Sequence, residues 1–352
     1  MNYIGSKYSL LPFLDSCISE ITTNDSNKVF CDLFSGTATV GKYFKKKGFQ
    51  IIANDIQYYS YVLCKQYIGN HKQLMFDGIK EEVHIVKNPI DEVCKYLDSI
   101  SLIEGFVFNN FCKGNKKEGE EYRLYYSDYN GKKCDAIRLK IETWYIENKI
   151  TESEYFFLLT TLLENIDKVA NTASVYGAFL KNIKKSAQKQ FIMQPAEMIY
   201  NDIDHKVFNE DANELIRKIK ADILYLDPPY NQRQYSANYH VLETIARYDN
   251  PILKGKTGMR DYSEQKSDYC NKHKVKETFD DLIMHANTKY IFLSYNNEGL
   301  MTFEEIKDIM SKRGVYGCFK KEYHRFKADN ESKNRHIKAN TTTEYLHYVI
   351  CK

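Results

Sequence analysis

No two of the nine cysteines share a C-x-x-C spacing and none clusters with histidine, so the sequence offers neither a disulfide framework nor a metal site. Scattered thiols of this kind are expected of a reduced, cytoplasmic protein. No run approaches the ~18 consecutive apolar residues of a membrane span, and the amino terminus carries no charged-then-apolar leader. Positive charge is in only slight surplus: the formal net charge is +3 over 352 residues, which excludes a polycation and confines any nucleic-acid surface to a local basic face. Internal repeats and low-complexity segments are absent. One tryptophan stands against 29 tyrosines, a bias that suits surfaces stacking on bases and that AT-rich coding produces as well. What remains is an ordinary globular composition, long enough for one large α/β core with an insertion, or for two domains.

The chain is organised around residues 221–230, where Ile223, Leu224, Tyr225 and Leu226 make an uninterrupted apolar run that stops at Asp227, Pro228, Pro229 and Tyr230. Such a run predicts a strand buried on both faces of a parallel sheet, and prolines, which cannot continue the ladder, end it at Asp227. Ligands of open α/β sheets bind beyond the carboxyl ends of the strands, so Asp227 and Tyr230 are expected at that crevice. Upstream, residues 29–34 predict a strand, residues 35–41 a glycine turn, and then a helix ending in Lys45, Lys46 and Lys47 with Gly48 as its cap. The next strand, 50–55, ends in Asp55, where nucleotide-binding βαβ units place the acid that takes ribose hydroxyls. Gly36 lets the backbone turn and a ligand approach closely. Ala38 interrupts the full G-x-G-x-x-G, and no Gly-Lys-Ser/Thr follows, which disfavours a phosphate-binding P-loop. Before all of this, a loop with Tyr3 and Lys7 leads into a helix marked by Leu10, Leu14, Cys17, Ile18 and Ile21.

Taken in order, Asn2-Tyr3-Ile4-Gly5-Ser6-Lys7, the run from Asp32 through Gly36 and Ala38 to Gly41, Asn54-Asp55 and Asp227-Pro228-Pro229-Tyr230 resemble the adenine-specific DNA methyltransferases of the alpha group, the Dam-like type. The resemblance covers both flanks of the chain and implies an α/β, Rossmann-like S-adenosylmethionine-dependent methyltransferase fold, with a mostly parallel seven-stranded sheet and a helical insertion. It implies a cofactor site. Tyr3 and Lys7 hold the methionine end, Lys7 through its carboxylate, and Asp32, Phe34, Ser35, Gly36, Thr37 and Ala38 surround the same moiety. Asp55 with Ile56 takes the ribose, Asp211 with Ala212 the adenine, and Asp202 and Asp204 compete for that last place. No metal is implied, because the sulfonium already activates the methyl. The implied partner is double-stranded DNA, with a cognate restriction endonuclease as a genetic rather than physical partner and the chain a monomer or weak dimer.

Adenine's exocyclic amine is a poor nucleophile until its lone pair leaves conjugation with the ring. Asp227 and the Pro228 carbonyl are placed to accept both amine hydrogens and aim that lone pair at the methyl, and Pro229 helps fix the carbonyl's direction. The base must be flipped out, and Tyr230 is placed to stack on it. Cytosine N4 methylation uses the same geometry, though serine before the prolines favours it and Asp227 favours adenine. RNA or protein amide substrates, and a non-catalytic nucleic-acid-binding subunit with the same fold, are the remaining alternatives.

Residues 1–70 and 201–352 are expected to form the catalytic domain, and 71–200 a largely helical insertion and candidate target-recognition region. Within it, Asn130-Gly131 reads as a turn and residues 135–149 and 152–170 as two helices. Four lysines between 181 and 189 suit either a phosphate-contacting edge or a solvated face. Beyond Tyr230, the amide- and ring-rich run with Arg233, Gln234, Tyr235, Asn238, Tyr239 and His240 suits contacts to bases. Residues 252–276, broken by Gly255 and Gly258, read as a flexible basic loop contacting DNA through Lys254, Lys256, Arg260 and Lys266. A strand (289–296), a helix (302–311) and two closing strands (314–323 and 344–350) complete the chain, with a second basic connection carrying Arg325, Lys327, Lys333, Arg335 and Lys338.

Overall fold

The computed structural model describes residues 5–22, 26, 28–117, 122–173, 175–178, 180–324 and 341–352. Tyr3 and the basic residues Arg325, Lys327, Lys333, Arg335 and Lys338 lie outside them. Two compact units divide the chain: Gly5–Cys64, Ile203–Tyr235 and Glu264–Lys352 carry a sheet, and Lys65–Asp202 with Ser236–Ser263 are mainly helical.

The sheet comprises β1 (Val29–Asp32), β2 (Gln50–Asn54), β3 (Lys206–Phe208), β4 (Ile223–Leu226), β5 (Tyr290–Asn296), β6 (Gly314–His324) and β7 (Thr341–Cys351). Their order is β3-β2-β1-β4-β5-β7-β6. The first five run parallel, and β7 runs antiparallel to both β5 and β6, the mostly parallel seven-stranded sheet expected. β4 and β5 are buried at every position, which is why they read as apolar runs, interrupted only by Ser294 and Asn296 in β5, rather than as alternations. On one face Leu224, Leu226, Ile291 and Leu293 pack with Phe279, Leu282 and Ile283 of the helix Val275–His285 and with Ile306 and Ile309 of the helix Phe303–Ser311. Phe30 points to the other face, where its ring stacks on Phe44 of the helix Thr39–Lys46 at 4.1 Å. Burying each such side chain contributes about 1.5–3 kcal/mol.

Topology then locates the site. From β1 the chain builds outward through β2 and β3, returns to place β4 on the other side of β1, and continues to β5. The direction of winding reverses between β1 and β4, and the crevice of an open α/β sheet lies beyond the carboxyl ends of the strands at that reversal.

In the helical unit the principal helices are Asp128–Ile146 and Glu152–Lys168. The first starts earlier than the sequence predicts, capped by Ser127, so Asn130-Gly131 lies inside a helix and is no turn. Packing accounts for the difference. A Cβ at Gly131 would come within 2.3 Å of Cys112 Sγ, and the Asn130 side chain donates to Lys189 O (2.8 Å) while accepting from Phe191 N (3.2 Å). The second helix opens on a capping box of Thr151 and Glu154. No helix among the described residues is long and apolar enough to cross a membrane.

Candidate active site

Asp32 ends β1, and the turn beyond it is held by its own side chains. Ser35 Oγ donates to Asp32 O (2.7 Å) and accepts from Asn54 N (3.2 Å), which ties the turn to the end of β2. Gly36 has φ +52°, and its N–H donates to Asp55 Oδ2 at 2.8 Å. Asp55 Oδ1 accepts from Gln57 N, beyond Ile56, at 2.9 Å. Ala38 also adopts the left-handed conformation, at φ +59°, so it takes the shape a glycine would take and bears a strain of about 1 kcal/mol. Phe34 packs edge-on against Tyr269 at 5.1 Å, and Thr37 Oγ1 lies 3.0 Å from Thr39 Oγ1.

Asp32 Oδ2 accepts from Gly41 N (3.0 Å), yet its carboxyl is raised to about 7, first by burial and then by the charges of Asp227 and Asp55, against which the Gly41 bond pulls it down. A turn backed by Asp32, Asp55 and Asp227 repels phosphate and suits a cation. Asp211, three residues past β3, caps the short helix Ala212–Leu215 by accepting from Asn213 N and Glu214 N. Asp204 precedes β3 and so stands at the opposite edge of the sheet.

Asp227 follows β4 directly. Sequence reasoning pairs it with Pro228 and Tyr230; the structure adds a buried charge cluster. Lys7 Nζ lies 3.1 Å from Asp227 Oδ1 and donates to Glu344 Oε1 at 2.9 Å. Ser294 Oγ donates to the same Glu344 oxygen at 2.6 Å. Burial alone would lower the pKa of Lys7, but the carboxylates of Asp227 and Glu344 hold it well above its usual value. Asp227 is raised from 3.8 to about 6, chiefly by burial, with Lys7 opposing and Glu344 adding to the rise. Asp227 Oδ1 is buried and, despite its closeness to Lys7, accepts no hydrogen bond of good angle from the described residues. The Tyr230 ring meets Tyr295 edge-on at 6.0 Å, and Lys7 Nζ stands 5.7 Å from its centroid. Gly5, at φ +81°, leaves room that a Cβ would take from the Tyr235 hydroxyl, 3.0 Å away.

Glu344 and Ser294 are the residues the motif reading misses. β7 runs against β5, and Glu344 pairs with Asn296, the last residue of β5, so the start of the antiparallel strand reaches the carboxyl edge of the parallel ones. The available signal was a lone acid at the head of an apolar strand.

The residues expected to contact bases or phosphates separate into two sets. Arg233 is exposed, and Gln234 is tied to Ser267 through both its amide nitrogen (3.0 Å) and oxygen (2.9 Å). In the helical unit, Tyr239 and His240 are buried, and the two nitrogens of His240 face the carbonyls of Ala237 (3.1 Å) and Thr257 (2.7 Å), so neither side chain offers a face to a base. Asn238 is half-buried, and its backbone carbonyl accepts from Tyr176 N (2.8 Å). Arg260 is likewise withdrawn, forming a two-point ion pair with Asp249 at 3.0 and 2.6 Å. Nor is its surrounding segment a loose loop. Lys254 and Met259 pair across a tight turn, and Arg123 grips the carbonyls of Gly255 (2.9 Å) and Lys256 (3.1 Å) from beneath. Lys254 and Lys256 stay exposed on this braced turn; Lys266 lies in the sheet unit, beside Gln265, whose side chain donates to Ile56 O at 3.3 Å.

The family model for D12 class N6 adenine-specific DNA methyltransferases matches residues 3–313. Over 350 residues, 99% of each chain, this protein is 50% identical to the Type II methyltransferase M.NlaIII of Neisseria lactamica. It is 33% identical to the Type II methyltransferase M.CviAII of Paramecium bursaria Chlorella virus 1, over 99% of this chain and 98% of that one. It is also 39% identical to the Type II methyltransferase M.FokI of Planomicrobium okeanokoites, over 99% of this chain but 52% of the relative, so it spans about half that protein's length. A match across most of the chain, joined to a seven-stranded sheet with Asp-Pro-Pro-Tyr at its switch point, settles the family: this chain belongs to the D12 class N6 adenine-specific DNA methyltransferases.

Proposed function

We propose that this methyltransferase is the modification enzyme of a Type II restriction-modification system, and that it methylates a flipped-out adenine of double-stranded DNA at Asp227, Pro228 and Tyr230. The observation that carries the assignment is the place of Asp227: it ends β4 beside the switch point, with one oxygen 3.1 Å from Lys7 Nζ and the side chain still 17% exposed. The Asp227 carboxylate and the Pro228 carbonyl are the acceptors for the two amine hydrogens, and the Tyr230 ring is the surface against which the base stacks. Residues 71–200 remain the candidate target-recognition region.

The family implies S-adenosylmethionine, which supplies an electrophilic methyl on a cationic sulfur. The residues at the turn fit that group. Their acids favour a cation over a phosphate, Gly36 permits close approach, and Asp55 stands at the same turn with its carboxylate oriented by Gly36 N and Gln57 N. Asp211, at the same edge of the sheet, is the acid for the adenine end. Gly36→Val will put a branched side chain at φ +52° in the turn, and Asp55→Ala will remove the ribose partner. Both variants are expected to weaken cofactor binding by roughly tenfold or more while remaining folded, a loss of at least about 1.4 kcal/mol. Calorimetry returning wild-type affinity for both would refute the cofactor assignment.

The braced turn at Lys254 and Lys256, with Lys266, is assigned to phosphate contact. Replacing the three lysines by alanine is expected to flatten the salt dependence of DNA binding by about 0.9 in log-log slope for each phosphate no longer neutralised, without changing cofactor affinity. An unchanged slope returns these lysines to the solvent. Arg260 is left out of this set because its charge is already matched by Asp249.

A further inference from the structure

We infer that Glu344 is a positioning residue for methyl transfer: by fixing the buried Lys7 ammonium between two carboxylates, it sets where the acceptor acid Asp227 lies and how much of the lysine's charge that acid receives. The inference rests on the reading of Asp227 as acceptor and extends it to β7, which carries no methyltransferase motif.

Glu344 is 1% exposed, and its Oε1 takes two donors, Lys7 Nζ and Ser294 Oγ. Its Oε2 is buried with no hydrogen bond among the described residues. A buried carboxylate left half-satisfied is costly, and a fold that keeps one gains something besides stability. Here one cation serves two anions. The charged and titratable groups acting on Asp227 are Lys7 from the amino-terminal segment, Glu344 from β7, Asp32 from β1 and Tyr225 from β4, while Tyr230, just beyond β4, acts on Lys7. Only Lys7 among them is positive. With Glu344 present, the Lys7 charge is shared, and Asp227 is not drawn into a tight private ion pair that would hold it away from an incoming amine. With Glu344 neutral, the whole charge falls on Asp227.

The test is the pH dependence of single-turnover methyl transfer from tritiated S-adenosylmethionine to duplex DNA. Glu344→Gln keeps the shape and removes the charge. Its acid limb is expected to move down by roughly one pH unit, and its plateau rate to fall roughly tenfold as Asp227 shifts out of place. Glu344→Asp keeps the charge but retracts it, so its limb should stay near the wild-type position while its plateau drops. A folded Glu344→Gln enzyme with the wild-type limb overturns the inference, even if it melts at a lower temperature, because a purely structural role would not move the titration. Should Glu344→Gln fail to fold, a wild-type plateau in Glu344→Asp overturns it instead. Asp227→Asn run alongside separates the two levels. Wild-type transfer in Asp227→Asn removes the underlying reading, whereas an inactive Asp227→Asn beside an unaffected Glu344→Gln removes only the role of Glu344.

Discussion

Replacing Lys7 by methionine will destabilise the protein by about 3–5 kcal/mol near pH ~8, and by much less near pH ~5. Its ammonium lies between Asp227 (3.1 Å) and the buried Glu344 (2.9 Å), so its loss leaves those two carboxylates facing each other unpaired. Asp227 is already raised from 3.8 to about 6, mainly by burial, with Lys7 holding it down; without Lys7 it rises further. A carboxyl whose folded pKa lies above its unfolded value binds more protons folded than unfolded, so stability is lost as pH rises from 3.8 through the folded pKa. Below that window the Asp227 carboxyl is protonated and most of the repulsion is gone; above it the full repulsion appears. Urea unfolding of wild type and Lys7→Met at the two pH values gives the comparison. An equal deficit at both would mean that the lysine stem's packing, not its charge, is what Lys7 contributes.

Asp227→Asn acts on chemistry instead. The amide retains one acceptor oxygen, but its own NH2 opposes the adenine amine, and the negative charge that stabilises the amine as it turns tetrahedral is gone. Loss of one preorganised electrostatic partner of this kind costs about 10² or more in rate, roughly 2.7 kcal/mol or above. Folding should not suffer. Lys7 and Glu344 remain as a matched pair, and an acid whose folded pKa is raised to about 6 destabilises the native state when ionised, so its neutral replacement should be at least as stable as wild type above that pH. Cofactor and DNA binding should largely survive.

The sheet was legible because its central strands are buried on both faces: Ile223 to Leu226 and the residues of β5 admit no polar interruption except Ser294 and the closing Asn296, and such runs have few other readings. The Asp-Pro-Pro-Tyr end of β4 was legible for a related reason, since proline marks where pairing must stop. Features decided by packing rather than local chemistry were hidden. Asn130-Gly131 looks like a turn until Cys112 is seen to need the space of a side chain. Tyr239, His240 and Arg260 carry the residue types of a nucleic-acid surface, but the partners of the last two, Thr257 and Asp249, are found only once the chain has folded back on itself. Glu344 was the most deeply concealed. Its role comes from an antiparallel register that brings it to the same edge as Lys7 and Asp227, 337 residues from the former.

That Asp227 is the acceptor for the adenine amine is tested most directly by separating base capture from chemistry in one variant. A duplex with 2-aminopurine at the target position reports flipping by its fluorescence, and a matching adenine duplex with tritiated S-adenosylmethionine reports transfer under single-turnover conditions. For Asp227→Asn the fluorescence rise should match wild type, while label transfer should fall by about 10² or more. Label transfer at the wild-type rate would contradict the assignment and place the catalytic centre away from the end of β4.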